Sequence, residues 1–544
     1  GVTTRVHHLS WTSMAGEAKR DYPASIFYQS PWYKEYPLIE DHFARVNTAL
    51  TSGKPDVKIG VIHPIESYWL YWGPKEQTAA KRQQMEQQFS QIIEWLLFGL
   101  QDFDFIAESL LPSQQPELME GKTFDVGEMA YDVVIVPGCV TLRSTTVQRL
   151  QAFVEAGGQV IFMGEPAKYM DAVPSTVPAQ IAAQAARIPF DRTALMEMLE
   201  PVRQLDIRTE SGARSNRYIY QMRTDAEGKW LFIANGKKAE KPDRPLVNQI
   251  HILLNGVYTL EEYDTLRGTH RTAAVGYEHG KTELIRDLYE HDSLLLRLEP
   301  VTKAADCPAP APAKSQWTRL EKVWGPTPVT LSEPNVLLLD MAEYSLDQEA
   351  WHDTEEVLRI DNILRARLGY PLKMEAFAQP WSVEKTRTPE HSLRLRFHFD
   401  AKVAVDKAQL ALETPELCTI TFNGKPVSNT PVGYFTDMFI KTVELGAIQK
   451  GDNTLLLEMP YMQESNLEWC YVLGDFGVEA RGARAWVTEP VRSLDFSDWT
   501  HQGLPFYGAN VTYEWTVDVE DGEYAVEIDK FRAPVIAVAV DGKD

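Results

Sequence analysis

The chain has 544 residues, and this length predicts about three to five domains because a domain averages roughly 100–200 residues. Hydrophobic residues make up 44% and charged residues 24%, which excludes a wholly disordered, collagen-like or coiled-coil chain. The formal net charge of −23 argues against a general binder of nucleic acid or of anionic membranes. Apolar runs stay well short of the ~20 residues that a spanning helix needs, so we expect no membrane span. A neutral partner fits this composition best.

The first 57 residues are predicted to form one strand-loop-helix unit. A strand-like run covers residues 2–11, a long aromatic and polar loop follows, and an amphipathic helix covers residues 36–50. An eight-fold β/α barrel takes about 250 residues, so we interpret residues 1–57 as the C-terminal remnant of a catalytic barrel. Because the chain also starts at Gly1 without an initiator Met, we expect it to be a fragment of a longer polypeptide.

The pattern becomes regular from residue 58. Strands are predicted at residues 57–63, 103–110, 132–136 and 159–163. Between them lie helices, one with apolar residues at helical spacing over residues 85–100 and one over 147–154 that ends at Gly157-Gly158. Alternating strands and helices imply parallel pairing through right-handed crossovers. Residues 58–170 are therefore predicted to be a flavodoxin-like or glutaminase-like α/β domain.

The remainder is predicted to be mostly strand. Alternating stretches at residues 218–222, 230–233, 249–254 and 293–298 predict a β-sandwich over residues 171–300. Residues 301–316 contain Cys-Pro-Ala-Pro-Ala-Pro-Ala, which is typical of a semi-rigid linker. Residues 317–389 are a mixed connecting segment with a strand at 335–339 and a helix whose apolar face runs from Val357 to Leu368, before Gly369.

An internal repeat marks the C-terminal part. Residues 411–425 and 530–543 share a Pro, an alternating strand, an Asn-Gly or Asp-Gly turn, and a Lys. Both match the same hairpin of a jelly-roll sandwich, which predicts one jelly roll over residues 390–480 and a second, truncated one over 481–544. We therefore expect the natural polypeptide to extend beyond both ends of the sequence.

Aromatic and ionisable side chains crowd the loop between residues 7 and 36. Barrel enzymes build their sites from the loops that follow the strands. Indole and phenol rings cover the apolar face of a pyranose, while His, Lys, Arg and Asp exchange hydrogen bonds with its hydroxyls. The pattern favours sugar recognition. In the alternative interpretation, Trp11, Trp32 and Tyr33 only pack the barrel remnant against the next domain.

Glycoside hydrolysis needs two carboxyl groups, about 5–5.5 Å apart for retention or 6.5–9.5 Å for inversion. Glu17 and Asp21 are the weak catalytic candidates within the loop. Glu35, Glu40 and Asp41 belong to the following helix, where acidic residues near the N-terminus usually face solvent. Because the catalytic carboxylates of barrels come from several strands, we expect the decisive pair upstream of residue 1.

The four cysteines show neither a disulfide framework nor zinc spacing, so periplasmic, extracellular and cytoplasmic locations all stay open. Cys139, after Pro137-Gly138, raises the hypothesis of glutamine amidotransfer. The Gly-x-Cys-x-Gly elbow is missing, and we interpret Cys139 as a buried small hydrophobe. The loop after His63, with Trp69 and Trp72, ranks second as a site wall, and the alternative that we favour for it is a packed contact between domains.

Three runs carry a resemblance to a known family: His-His-Leu-Ser-Trp-Thr-Ser-Met (7–14), Lys-Arg-Asp-Tyr-Pro-Ala-Ser-Ile-Phe-Tyr-Gln-Ser-Pro-Trp-Tyr (19–33) and Asp-His-Phe-Ala-Arg-Val-Asn (41–47). They resemble the end of the catalytic barrel in large bacterial glycoside hydrolases akin to the α-L-rhamnosidases of family 106, which are related in outline to family 2 and family 42 enzymes.

The resemblance implies the end of a TIM barrel, a glutaminase-like α/β domain, a β-sandwich and a galactose-binding-like jelly roll. It also implies cleavage of a terminal rhamnose-like sugar from plant or complex glycans, and contacts to an oligo- or polysaccharide from His7, His8, Trp11, Lys19, Asp21 and Trp32. Family 106 enzymes are associated with calcium, but no residue here matches a ligand motif. The alternative is a non-catalytic carbohydrate-binding or scaffolding protein.

Overall fold

The computed structural model describes residues 6–8, 10, 12–16, 18–22, 24–115, 121–313, 317–373 and 388–542 of the chain. These residues form two compact units. Unit 1 contains Leu38–Gln316 and Val526–Ala533, and unit 2 contains Val6–Pro37, Trp317–Ala525 and Pro534–Asp544. The predicted barrel remnant, residues 1–57, is thus divided between the two units. Its predicted strand lies mostly outside the described residues, and residues 6–8 and 10 form no strand.

Unit 1 begins with a parallel sheet. Its strands are, in spatial order, Ala186–Ile188, Gln159–Met163, Val133–Pro137, Ile59–Ile62 and Phe103–Ile106. Every pair in the sheet is parallel, which confirms the prediction from the alternating pattern. Numbered along the chain, the order is 2-1-3-4-5, the doubly wound order of flavodoxin-like sheets. The helices of this unit are Tyr36–Thr51, Ile65–Trp69, Lys75–Phe98, Leu111–Gln114, Ser144–Glu155, Val177–Ala182 and Arg192–Leu199.

Apolar side chains on both faces of the sheet explain why it forms. The strand Val133–Pro137 is buried along its whole length, as expected for a parallel strand covered by helices on both sides. The sheet continues past the predicted boundary at residue 170, since Ala186–Ile188 pairs with Gln159–Met163 and Leu195 and Leu199 join the same core. A three-residue strand and an eight-residue helix are too short to give a clear periodic signal.

A β-sandwich completes unit 1. One sheet has the order Lys54–Pro55, Tyr218–Thr224, Lys229–Asn235, Ser293–Pro300, Tyr258–Asp264 and Thr269–Thr272. The other has the order Leu205–Thr209, Val247–Asn255, Lys281–Tyr289 and Gly276–Glu278. Their inner faces share one core, and all four strands predicted from alternation are confirmed. Cys307, in the predicted linker, exchanges two backbone hydrogen bonds with Tyr277, so part of that segment lies against the sandwich.

Unit 1 also contains two smaller sheets. Phe124–Val126 and Met129–Tyr131 form a hairpin, and Val173–Pro174, Tyr169–Met170 and Thr141–Leu142 form a three-stranded sheet.

Unit 2 is built on a second β-sandwich. One sheet has the order Asn335–Leu339, Cys470–Gly474, Val405–Glu413, Asp437–Ile448 and Gly433–Phe435. The eight-stranded sheet contains His352–Glu356, Met341–Leu346, His391–Ala401, Gly451–Tyr461, Thr419–Phe422, Lys425–Val427, Gly477–Arg481 and Arg484–Thr488. A single large core lies between them. A three-stranded sheet, Ser493–Leu494, Thr327–Leu331 and Val511–Tyr513, and the helices Ala18–Asp21 and Val357–Leu368 complete the unit.

The two copies of the repeat fold differently. In the first copy, Asn423 and Gly424 both have positive φ and join two strands of a tight hairpin, as predicted. In the second copy, Asp541 and Gly542 have the same pair of positive φ values. Among the described residues 514–542, however, no strand forms, so the alternating stretch before this turn is not the strand that its sequence pattern predicts.

Candidate functional site

The described residues of segment 12–37 lie on the sandwich of unit 2. Asp437 is fully buried there, and its carboxylate accepts hydrogen bonds from the Met14 backbone N–H at 2.9 Å and from the Gln29 amide at 3.0 Å. The Gly16 backbone N–H donates to both carboxylate oxygens of Glu413 at 2.9 Å. Buried carboxylates of the sandwich therefore fix the backbone of the segment.

Cations of the same segment complete these contacts. Lys19 forms ion pairs with Glu413 and Glu468, and its side chain is only 9% exposed. The Arg20 guanidinium donates hydrogen bonds to the two carboxylate oxygens of Glu468 at 2.5 and 3.0 Å. Burial by itself raises the pKa of Glu468, but the hydrogen bonds from Arg20 and Lys373 outweigh burial and bring the pKa down to about 2. Glu468 is therefore ionised at neutral pH and holds the segment electrostatically.

Aromatic rings gather where the segment meets the strand Asp437–Ile448. We call Phe27, Tyr28, Tyr33, Tyr434 and Met438 the aromatic surface. Phe27 contacts Tyr28 and Tyr33 edge-to-face at 5.0 and 5.7 Å, and Tyr28 contacts Tyr434 at 6.2 Å. The Tyr28 hydroxyl accepts a hydrogen bond from the Met438 backbone N–H at 3.1 Å. These contacts hold the rings in a fixed arrangement.

The aromatic surface remains open to solvent. Tyr434 is 58% exposed and Met438 51%, while Phe27 and Tyr33 are each about 40% exposed. Contiguous exposed apolar patches of this kind mark ligand or partner sites more often than isolated exposed residues do. Polar groups adjoin it: Lys441, which pairs with Tyr434 across the hairpin, forms an ion pair with Glu416 at 2.6 Å. The surface thus combines apolar ring faces with donors and acceptors at its margin.

The structure describes only some of the predicted sugar-contacting residues. His7 and His8 are exposed, and Trp32 is half-buried with its indole N–H donating to the Ser25 carbonyl at 3.2 Å. The Lys19 ammonium is committed to two carboxylates. Trp11, Glu17 and the side chain of Asp21 lie outside the described residues. The roles assigned to these six contacts and to Glu17 stay predictions.

Tyr28 and Tyr33 belong to the aromatic and ionisable group predicted between residues 7 and 36, whereas Phe27, Tyr434 and Met438 were not predicted as site residues. The two parts are some 400 residues apart, so only the folded sheet brings them together. A local signal did exist, because Gly433–Phe435 presents two adjacent aromatic residues in a short strand with mostly exposed side chains.

The carboxyl edge of the parallel sheet in unit 1 is closed by side chains. Ser67 follows the strand Ile59–Ile62, and its hydroxyl bonds to the carbonyl of Thr141 and to the N–H groups of Val140 and Thr141 at 2.9–3.1 Å. Flavodoxin-like sheets bind ligands in this crevice. Here Ser67 ties the segment after Ile59–Ile62 to the segment after Val133–Pro137.

Cys139 lies at the same edge and is only 3% exposed. Burial raises the pKa of its thiol, and the nearby carboxyl group of Glu108 acts in the same direction. A catalytic cysteine needs an exposed thiol next to a cation, so the geometry disfavours amidotransfer and supports a buried, inert Cys139.

The loop after His63 presents exposed aromatic side chains on unit 1. Trp69 is 57% exposed and Trp72 is 75% exposed, and the Arg82 guanidinium lies 5.4 Å from the Trp72 ring. Burial lowers the pKa of His63, whose ring contacts Phe89 and Phe105. His63 is therefore packed among rings, while the two tryptophans are available to a partner or ligand.

The described residues were also considered for metal ligands and for membrane-spanning helices. No group of three His, Cys, Asp or Glu side chains stands close enough to hold a metal ion there, so the expected calcium gains no site from the described residues. No described helix combines the length and the apolar character needed to cross a bilayer.

Comparisons with known proteins give weak similarities. No family model and no curated protein matches the chain. A rhamnosidase from Novosphingobium sp. PP1Y is similar at 13% identity and a TM-score of 0.35, over 80% of this chain and 37% of that one. A β-galactosidase from Bacillus circulans sp. alkalophilus is similar at 10% identity and a TM-score of 0.35, over 52% of this chain and 48% of that one. An α-L-fucosidase from Paenibacillus thiaminolyticus is similar at 11% identity and a TM-score of 0.30, over 49% of this chain and 52% of that one.

These three solved structures are glycoside hydrolases by name, and this chain matches only about a third to a half of each. Scores this low do not establish a family, and the resemblance to family 106 stays a prediction.

Proposed function

We propose that this chain is part of a carbohydrate-active protein of the glycoside hydrolase class, and that its aromatic surface binds saccharide. The observation that carries the proposal is the cluster of fixed, exposed rings formed by Phe27, Tyr28, Tyr33 and Tyr434. Three of these rings belong to the run that resembles the family 106 enzymes.

The physical argument rests on the match between this surface and a sugar ring. A pyranose has an apolar C–H face, which an exposed phenol ring covers, and a hydroxylated edge, which needs donors and acceptors. Lys441 and Glu416 offer both at the margin of the surface. The formal net charge of −23 favours an uncharged saccharide over an anionic one.

Among saccharides, we propose a terminal rhamnose-like deoxysugar. Its C6 methyl group would gain contact with the exposed Met438 side chain, a gain that a hydroxymethyl group does not offer to the same degree. By the family resemblance, the acid and base carboxylates belong to barrel strands outside this sequence, with Glu17 and Asp21 as the weak candidates inside it. Calcium binding is proposed from that resemblance alone.

A binding titration of the full 544-residue chain tests the surface. The chain is titrated separately with methyl α-L-rhamnoside, methyl α-L-fucoside and methyl β-D-galactoside. Saturation-transfer NMR monitors the binding of each glycoside. Replacing Tyr434 or Phe27 with Ala removes roughly 50 Å² of apolar contact, about 1.2 kcal/mol, so the Kd for the rhamnoside should rise about fivefold to tenfold. Tyr524→Ala, at another exposed tyrosine of unit 2, is the matched control and should leave the Kd unchanged. Equal affinity in all three variants would contradict the proposal.

A second candidate function is non-catalytic carbohydrate binding. It is favoured by the way that Glu413, Asp437 and Glu468 are all committed to structural hydrogen bonds and ion pairs. Hydrolysis of aryl α-L-rhamnoside by the natural full-length protein, compared with its Glu17→Gln and Asp21→Asn variants, separates the two. Saccharide binding without turnover would favour the second candidate, and turnover would support the first.

A further inference from the structure

A cavity of about 780 Å³ opens on the surface of unit 1, where the α/β layer meets the β-sandwich, and most of its polar lining residues are exposed. It lies between the helix Arg192–Leu199, the end of the helix Lys75–Phe98 and the first strand of the sandwich, Leu205–Thr209. Ligand sites favour such boundaries between layers, and their volumes run from about 300 to 1,000 Å³. The cavity is large enough for a mono- or disaccharide.

One wall of the cavity is apolar. Phe98, Leu100 and Met196 line it, and Met196 packs directly over the backbone of Gly99. A side chain at Gly99 would begin 2.4 Å from the Met196 sulfur, so the glycine lets the helix and this wall approach each other closely. This wall offers non-polar side-chain surface to a ligand ring.

The opposite wall is polar and fixed by ion pairs. The two terminal nitrogens of Arg214 donate hydrogen bonds to the two carboxylate oxygens of Glu200 at 2.5 and 3.0 Å. The Nε–H of Arg214 donates to Asp206 at 3.1 Å. Arg203 donates to Glu200 at 2.9 Å. The hydrogen bond from Arg214 is the main cause that lowers the pKa of Glu200 to about 2, so this carboxylate is ionised at neutral pH. The donors and acceptors of the wall are therefore pre-organised.

Asp206 positions one of the guanidinium groups at the cavity. Its side chain is 9% exposed, and its Oδ2 is held by Arg208 and Arg214. Its Oδ1 is enclosed, so a ligand in the cavity does not reach this oxygen, and Asp206 acts by orienting Arg214. Asn216 and Thr193, also at the cavity, supply further donors and acceptors.

The charge balance of the lining selects the class of ligand. Three guanidinium groups (Arg192, Arg203, Arg214) face three carboxylates (Glu197, Glu200, Asp206), so the lining carries no net formal charge. We infer that this cavity binds an uncharged, polyhydroxylated ring, with its apolar face on Phe98 and Met196 and its hydroxyls at the exposed ion pair of Glu200 and Arg214. The inference stands on the chemistry of the cavity and does not depend on the aromatic surface of unit 2.

Two measurements on the full chain test this site. In the first, methyl α-D-glucoside and methyl α-L-rhamnoside are titrated into protein labelled with ¹³C at the methionine methyl groups, with Met196 assigned through Met196→Leu. The Met196 resonance should shift in a saturable way, and it should still shift in the Tyr434→Ala variant, which separates this site from the proposed surface. Saturable binding with no shift at Met196 would overturn the inference.

In the second measurement, Thr193→Trp places an indole at the edge of the cavity, and Gln87→Trp, on the exposed face of the helix Lys75–Phe98, is the matched control. Binding that is at least tenfold weaker in Thr193→Trp and unchanged in Gln87→Trp supports the site. Asp206→Asn weakens the contact that orients Arg214 and should weaken binding about fivefold. Tighter binding of glucuronate than of methyl glucoside would overturn the assignment to an uncharged ligand.

Discussion

Two buried carboxylic acids show how neighbouring groups decide the charge of a side chain. Glu108 in unit 1 is 3% exposed, and burial raises its pKa to about 7 even though the Arg143 backbone N–H donates to it. Glu468 in unit 2 is also buried, but Arg20 and Lys373 reach it and bring its pKa to about 2. The surroundings of Glu108 therefore disfavour its charged form, whereas those of Glu468 favour its charged form.

Glu108 should make unit 1 less stable as the pH rises from about 4.5 to about 7. A carboxyl whose folded-state pKa lies above its unfolded value binds a proton more tightly when folded, so its stabilisation is present at low pH and is lost through this window. The difference is on the order of 3 kcal/mol. Glu108→Gln keeps a neutral acceptor for Arg143 and should gain melting temperature over the natural chain at pH 8 but not at pH 4.5, as measured by calorimetry. Glu155→Gln, at an exposed glutamate, is the control, and equal behaviour of the two variants would contradict the prediction.

Lys19 should contribute to stability whether or not saccharide is present. Lys19→Met leaves Glu413 buried with its backbone and amide donors but without its cation, which costs about 3 kcal/mol for a broken buried pair. Unit 2 should therefore melt at a lower temperature in a calorimetric scan at pH 7. The loss should shrink as the pH falls from about 4.5 towards 2, because Glu468, whose pKa is depressed, loses its own stabilisation in that range. An unchanged melting temperature would mean that Lys19 is free, as a pure ligand contact would be.

The two glycines after the helix Ser144–Glu155 are required for different reasons. Gly157 has φ +84° and open space around it, whereas a Cβ at Gly158 would begin 2.1 Å from the ring of the fully buried Phe153. Gly157→Ala should cost about 1 kcal/mol through backbone strain alone. Gly158→Ala should cost about 1–3 kcal/mol, because the ring must move within a packed core. Urea unfolding of the two variants checks the order, and Gly158→Ala combined with Phe153→Leu should recover part of the loss.

Elements with strong local signals could be predicted, and weak or long-range features could not. The helix Val357–Leu368 was predicted with its bounds, because its apolar spacing and the left-handed Gly369 at its end are local properties. The strand Ala186–Ile188 was missed because three residues carry no period, and its place in the sheet depends on pairing with Gln159–Met163. In the second copy of the repeat, a strand was predicted and none forms among the described residues. An alternating pattern forms a strand only where a neighbouring strand pairs with it.

For the whole molecule, the path of the chain decides which residues act together. The described part of residues 6–37 belongs to unit 2, the chain then builds unit 1 from Leu38 to Gln316, and it returns to unit 2 at Trp317. Phe27 and Tyr434 therefore contribute to one surface across a sequence gap that no local pattern spans. Composition and charge predicted a neutral partner. The arrangement of the rings could not be predicted, because it depends on the return of the chain to unit 2 at Trp317.

Because Val6–Pro37 belongs to unit 2, we expect that deleting residues 1–35 will destabilise unit 2 and leave unit 1 intact. The deletion removes the Gln29 donor of the buried Asp437, and it removes Lys19 and Arg20 from Glu413 and Glu468. Uncompensated buried carboxylates open the surrounding strands more often, and hydrogen exchange reports such local opening. Amides of Val405–Glu413 and Asp437–Ile448 should exchange at least tenfold faster, while those of Ile59–Ile62 and Val133–Pro137 keep their rates.

Deleting residues 534–544 is the matched control, because this segment belongs to the same unit but its described side chains are mostly exposed and should leave all four strands unchanged. Equal loss of protection in both units after the N-terminal deletion would show that the segment does not act through unit 2 alone. Faster exchange restricted to the two strands of unit 2 would establish that the N-terminal segment is part of that sandwich's structure, which is the arrangement that the aromatic surface requires.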